Sequence, residues 1–355
     1  GAAFWSRAMI WLLKRGAAVV ALLFALVASP VAYVELACRP SIVPSSDVPI
    51  LPPEHHRPEG RTLLTYPEWH IVHAYDDYAQ VIANGAPHDY AYFKSVAGFW
   101  QSLCSVSKAS GPVGGFPNQF KSTIYTIGIS FTFEMLAKAL YEETLGRFAV
   151  VMRGDEPASL DILSAQQAAQ YAQFLQQVPW YQWDFERDAV ALKNAETDVW
   201  RDRERRFALG IEYGLKARYA RVIKAAVANM EPDALRLRLI VHGLQPNRLA
   251  AEEGVEVILM RPEGIEVQAP RYRALTKLLD QWAAEGADFV EIAGNDDIML
   301  TVTSSNQRLD QAIYSFDRQG YDDTRHLVLV PVSDLAATLR GFQAGVVRLE
   351  HIHDY

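Results

Sequence analysis

Two stretches of the chain repeat one arrangement of side chains. Phe133-Glu-Met-Leu-Ala-Lys-Ala-Leu-Tyr141 and Ile211-Glu-Tyr-Gly-Leu-Lys-Ala-Arg-Tyr219 share an apolar residue, Glu, three variable positions, Lys-Ala, one variable position and Tyr. Glu134 and Lys138, like Glu212 and Lys216, are four apart and neighbours on one helix face. Glu134 follows the apolar run Ile124 to Phe133, which predicts burial. A buried carboxylate needs a partner, and the lysine of its own or of the other helix supplies one. The four residues therefore make either a structural ion-pair network or a polar centre between paired helices. In the second case the glutamates would bind metal or carry protons. Neither helix carries the Glu-x-x-His pairs of a di-metal site, which favours the network.

Histidines give the second set of candidates. His70 and His73 lie three apart on an expected helix, with Asp76 and Asp77 one turn on, a spacing that permits a shared metal. His351 and His353 alternate on an expected closing strand and so point to one side, with His242 and His326 on or beside other strands. Capping or exposed histidines are the plainer alternative for both pairs. Ser105-Val-Ser-Lys108 fits a Ser-x-x-Lys pattern and Ser304-Ser-Asn306 loosely echoes the second element of that enzyme class, but no Lys-Thr-Gly follows. Gly-x-Ser-x-Gly, phosphate-loop, dinucleotide and haem-attachment motifs are absent from the sequence. No cofactor can be named.

The elements around these residues begin with an apolar segment. Arg7, Lys14 and Arg15 precede an uncharged run over residues 16–34, flanked by Phe4, Trp5, Trp11 and Tyr33. Some twenty such residues span a hydrocarbon core of about 30 Å. The basic flank predicts a single membrane anchor over 1–38 with a cytoplasmic N-terminus and a periplasmic body, in a bacterial-type inner membrane. A cleaved signal peptide is the rival, but small-x-small sites near its end are poor. Residues 39–62 carry six prolines between Pro40 and Pro58 and are expected to be an extended linker. In an oxidising compartment Cys38 and Cys104 become a candidate disulfide, with two free thiols as the alternative.

Residues 63–230 read as a helical domain, its first helix opening at Pro67. Helices are expected over about 90–108, 122–152, 164–177 and 197–228. Period-two runs and Gly-rich turns over 231–355 predict a C-terminal α/β sandwich of ferredoxin-like type, with a hairpin turn at Gly294-Asn-Asp-Asp. The fold class is thus α+β. The 355 residues carry a formal charge of -8, which gives no general attraction to nucleic acid. From Glu231 onward 20 acidic residues face 12 basic ones. By contrast Arg201, Arg205, Arg206, Arg218 and Arg221 crowd one helix, a solvated face or a surface for anionic lipid or an acidic partner.

The function expected from this pattern is a membrane-anchored, periplasm-facing accessory, scaffold or assembly subunit, partnered by the bilayer through residues 16–34 and by an envelope protein. The alternative is a tethered enzyme using the Glu/Lys centre or a His-bound metal. Lipid or quinone binding between apolar helices is the weaker third option.

Overall fold

The computed structural model describes residues 15, 25, 28–42, 48–57, 59–116, 118–195, 197–227 and 235–354. Most of the uncharged run over 16–34, on which the anchor expectation rests, lies outside them. Among the described residues no helix is long and apolar enough to cross a membrane.

The helical body contains α1 (Glu59–Asn84), α2 (Tyr92–Ala109), α3 (Asn118–Tyr141), α4 (Arg147–Arg153), α5 (Ser159–Leu175), α6 (Phe185–Asn194) and α7 (Trp200–Val227). A π turn, Glu142–Gly146, joins α3 to α4 in one rod. Pro67 does not open α1 but lies inside it. A proline there forfeits one backbone bond. Leu63, Leu64 and Tyr66 are buried on the turn before it, so tertiary burial carries the helix through. The proline-rich stretch is correspondingly shorter than expected, and it is not free. The Ile50 and Leu51 amides donate to the Glu291 carboxylate, the Arg57 amide to the Ala293 carbonyl, and Asn295 Nδ2 to the Arg57 carbonyl. Residues 28–37 are helical, and Cys38 is joined to Cys104 of α2 in a disulfide with Cα atoms 5.1 Å apart.

The C-terminal part is α+β, but built twice. Its first half runs β1 (Arg236–His242), α8 (Pro246–Leu249), β2 (Glu256–Met260), β3 (Ile265–Pro270), α9 (Arg273–Ala284) and β4 (Asp288–Ile292). The second runs β5 (Asp297–Ser304), β6 (Ala312–Asp317), β7 (Thr324–Pro331), α10 (Val332–Gln343) and β8 (Arg348–His353). Each half forms a four-stranded antiparallel sheet, ordered β2-β3-β1-β4 and β6-β7-β5-β8. Register repeats as well: Leu239 lies between Val267 and Ile292 as Leu300 lies between Val328 and Ile352. Both first-to-last and both outer pairings carry a bulge at corresponding positions. The hairpin expected at Gly294-Asn-Asp-Asp does not form, because β4 is an edge strand of the first sheet and β5 lies inside the second; the tight turn between them, centred on Ala293 and Gly294 at positive φ, is closed by the isolated Ile292–Asn295 bridge.

One apolar core takes in both sheets together with Leu275, Leu279 and Trp282 of α9 and Leu335 and Leu339 of α10. Period two then leaves the other face of the second sheet to the helical body: Met299 and Leu327 join the core of α1 to α3. That sheet is buried on both faces, and the helical and α+β parts meet there.

Candidate functional site

The contact between α1 and the second sheet is where most of the singled-out histidines assemble. Helical spacing puts Tyr66, His70, His73 and Asp77 on one side of α1. From the sheet come Thr301 on β5, Arg325 on β7, and Glu350, His351 and His353 on β8, all on the face opposite the Ile298, Leu300 and Val302 side. Glu350 shares that face through the β8 bulge: Thr301 pairs with His351 and Val302 with Leu349, so Glu350 is the extra residue.

Arg325 is fully buried and makes a two-pronged contact with Glu350, one branch 2.7 Å long. Its third nitrogen, Nη1, lies 3.6 Å from Asp77 Oδ1. His73 Nε2 stands 3.7 Å from Glu350. The His351 ring lies on Trp69 with centroids 3.6 Å apart, and its Nδ1 is 3.2 Å from the Thr276 hydroxyl of α9. His353 Nε2 meets Thr301, while its ring edges against Tyr66. His70 Nε2 is 2.9 Å from the Ser95 carbonyl; that oxygen can only accept, so the proton sits on Nε2 and Nδ1 is a bare acceptor. His70 Nδ1, His73 Nε2, His351 Nε2, His353 Nδ1, the Tyr66 hydroxyl and Asp77 Oδ1 are all buried without a hydrogen-bond partner. Such atoms are costly and cluster here as nowhere else among the described residues.

Burial keeps every one of these imidazoles neutral. It lowers His70 to about 4, and Arg325 adds to the effect while the Ser95 bond opposes it. His353 is brought down to about 3 by burial. His73, with Arg325 beside it, and His351, with His353 beside it, lie well below the usual value. Burial acts oppositely on Asp77, raising it to about 6 against the pull of Arg325 and the Gln319 amide. His70 and Asp77 also line a cleft of about 320 Å³ whose walls include Ser95, Gly98, Tyr314 and Phe316. Gly98 is required there: a Cβ would stand 2.7 Å from the His70 ring.

His70, His73, His351 and His353 are thus brought into one seam, although their sequence positions gave no hint that the two pairs meet. Their nitrogens point to separate partners, and no three His, Cys, Asp or Glu side chains among the described residues are grouped to hold a metal ion. His326 lies off the seam, bonded to Ser304, Asn306 and Ser315, and His242 is exposed. Arg325 and Glu350 were missed in the sequence; each neighbours a histidine, and the bulge that aligns Glu350 breaks the alternation by which it would be found.

The Glu/Lys residues form a second cluster. Lys216 bridges Glu134 at 2.7 Å and Glu212 at 3.0 Å, and Lys138 reaches Glu212 at 3.0 Å, so each lysine pairs across helices. The Tyr75 hydroxyl donates to Glu134, and the Tyr75 and Tyr78 rings lie under the ammonium groups. Burial alone would raise Glu212, but the two lysines overcome it and hold the carboxylate down at about 2. Burial would lower the lysines, yet the facing carboxylates raise both. Charges locked this firmly are poor proton carriers at neutral pH, so the cluster is built as a structural quartet.

The arginines of α7 require a correction. Arg201 and Arg205 are 1% exposed. Arg201 pairs with Asp161 and Glu204, and Arg205 with Glu142 and Glu204. Arg206 donates to the Leu192 and Ala195 carbonyls. These three serve the interior: carboxylates from α5 and the π turn wait there for Arg201 and Arg205, and backbone carbonyls at the end of α6 for Arg206. Arg218 and Arg221 remain on the surface. No known protein family, curated protein or solved structure matches the chain.

Proposed function

We propose that this protein is a membrane-tethered, periplasm-facing scaffold or assembly subunit of an envelope complex. The observation that carries the reading is how the chain after the uncharged run is secured. Cys38 is bonded to α2, Glu35 pairs with Lys121 of α3, and residues 50–57 are hydrogen-bonded to Glu291, Ala293 and Asn295 of the first sheet's end. A tether so fastened holds both parts of the body at a fixed place against the membrane, as a scaffold requires. The locked quartet supplies no acid or base poised near pH 7, which weighs against an enzyme built on the Glu/Lys centre. Within this reading each C-terminal half is a ferredoxin-like unit whose first helix is one turn (α8) or a loop.

The test is native mass spectrometry of the full-length protein released from its own membrane in mild detergent. Added mass equal to a second polypeptide supports the proposal, and a bare monomer counts against it.

One observation favours a second reading, small-molecule binding at the cleft. Asp77 and the bare Nδ1 of His70 both accept hydrogen bonds beside the Tyr314 and Phe316 rings, a setting for a ligand with N–H donors. A small ligand carried by the monomer in the same experiment, and lost in Asp77→Asn, would move the weight there.

A further inference from the structure

The rod formed by α3, the π turn and α4 lies antiparallel beside α7. Glu134 meets Lys216, Lys138 meets Glu212, Glu142 meets Arg205, and the Phe148 ring meets Trp200 with centroids 6.2 Å apart. The polarity of this pair is inverted. Between the helices sit the charges, with Glu142 6% exposed and Arg201 and Arg205 1%. Outside are Phe133, Leu140, Phe148, Phe207, Ile211 and Leu215, all between 57% and 71% exposed. Gly210 and Gly214 face open space on the same side of α7.

The repeated sequence pattern accounts for this arrangement. In each copy an apolar residue directly precedes the glutamate, and for antiparallel neighbours the residue before each bridging charge turns to the same side of the pair. Phe133 precedes Glu134, Ile211 precedes Glu212 and Leu215 precedes Lys216, so one motif writes a charged seam inside and an apolar face outside. A helix pair facing water is built the other way round. Ionisable side chains turned inward and paired with each other, beneath large apolar ones, suit a hydrocarbon surrounding.

We propose that this outer face of α3, α4 and α7 is seated among the acyl chains of the bilayer. The inference rests on the membrane tether of the proposed function and gives that tether a second point of attachment. The direction of the chain supports it independently. Ser41 lies on the turn at Gly111, Cys38 on α2, and Glu35 on Lys121 and Tyr125 of α3. Traced backwards, residues 41 to 35 therefore run along α3 from its N-terminal end as far as Tyr125, in the direction of Phe133. Arg218, three residues after Leu215 and seven after Ile211, ends that stripe on α7, with Arg221 exposed a turn further on, placed for lipid phosphates. Lipid fits better than a protein partner, since a docking protein would give no reason for the charges to be inside.

The test uses full-length protein reconstituted in vesicles of phosphatidylethanolamine and phosphatidylglycerol. A nitroxide is attached at Ile211→Cys, at Leu140→Cys and, as a control, at exposed Lys277→Cys on α9; Leu215→Cys replaces any α7 variant that does not fold. Collision with dissolved oxygen, which partitions into lipid, is compared with collision with a water-soluble nickel complex. The expected result is oxygen exceeding nickel at positions 211 and 140 and the reverse at 277. Nickel exceeding oxygen at 211 overturns the inference, as does an immobilised label reached by neither, which would mean a protein cover. Vesicle flotation separates the two claims: floating protein with a water-exposed position 211 refutes this face alone, whereas protein that does not float refutes the tether itself.

Discussion

The four neutral histidines between α1 and the second sheet make stability depend on acid, and the size follows from their surroundings. An imidazole that titrates near 6.5 when unfolded but near 4 in the fold takes up its proton first in the unfolded chain. Between those values the unfolded state holds more protons, so stability falls as pH falls, by at most about 1.4 kcal/mol per unit. With His70 at about 4 and His353 at about 3, lowering pH from 7 to 5 removes about 2 kcal/mol for each. His73 and His351, both held well below the usual value, add up to about 2 kcal/mol each. Asp77 opposes them. Its folded value near 6 lies above the ordinary 3.8, so it binds its proton in the fold first and returns about 1 kcal/mol over the same interval. Asp354, raised by burial beside Arg271, acts with Asp77. Arg318, Arg325 and Glu350 also face the seam, with Arg273 near His351 and Asp76 near Asp77. The net loss is about 3–6 kcal/mol, a large fraction of ordinary domain stability. Urea unfolding of the full-length protein in mild detergent, followed by tryptophan fluorescence at pH 7 and pH 5 at equal ionic strength, reads it directly. His353→Gln should remove close to one proton from the pH dependence. Equal unfolding free energies at the two pH values, or an unchanged slope in that variant, would refute the neutral seam.

Glu212→Gln leaves Lys138 and Lys216 facing one another and should cost about 3 kcal/mol in the same unfolding assay. Because the carboxylate is lowered from 4.5 to about 2 in the fold, its stabilisation is full above the unfolded value, is lost progressively as pH falls from about 4.5 through about 2, and adds little to the pH dependence between 5 and 8. Reducing the Cys38–Cys104 bond, which closes a separation of 66 residues, should lower stability by about 4 kcal/mol on the chain-entropy account, seen as a drop in Tm with reductant that Cys104→Ser reproduces without it. Gly98→Ala places a methyl group 2.7 Å from the His70 ring and should cost about 1–3 kcal/mol, with His70→Ala in the same chain relieving part of the loss.

Local pattern made much of this molecule legible. The spacing of apolar residues located most of the helices of the body, and period two set His351 and His353 on one face. The Glu-x3-Lys repeat announced a charge network whose members do meet. Two strands, β3 and β6, went unread, because Glu266 on β3 is buried only by its pairing with Arg238 and Arg261, and β6 is only half-buried. Arg201 and Arg205 of α7 were misread for a related reason. Composition along a helix counts charges, but the direction each takes depends on carboxylates distant in sequence, here Asp161 and Glu142.

By itself, then, the sequence determined most of the helices of the body, the α+β class, the pairing chemistry of the two repeated motifs and the cysteines able to bond. Tertiary structure alone decided that the two histidine pairs share a seam, that the C-terminal part is one topology built twice, and that the outer side of α3 and α7 is apolar. Periodicity is a property of a few neighbouring residues and tells which side chains share a face. Which face then meets which, and whether a charge ends inside or outside, is settled by the burial of surfaces hundreds of residues apart, as where Arg325 finds Asp77.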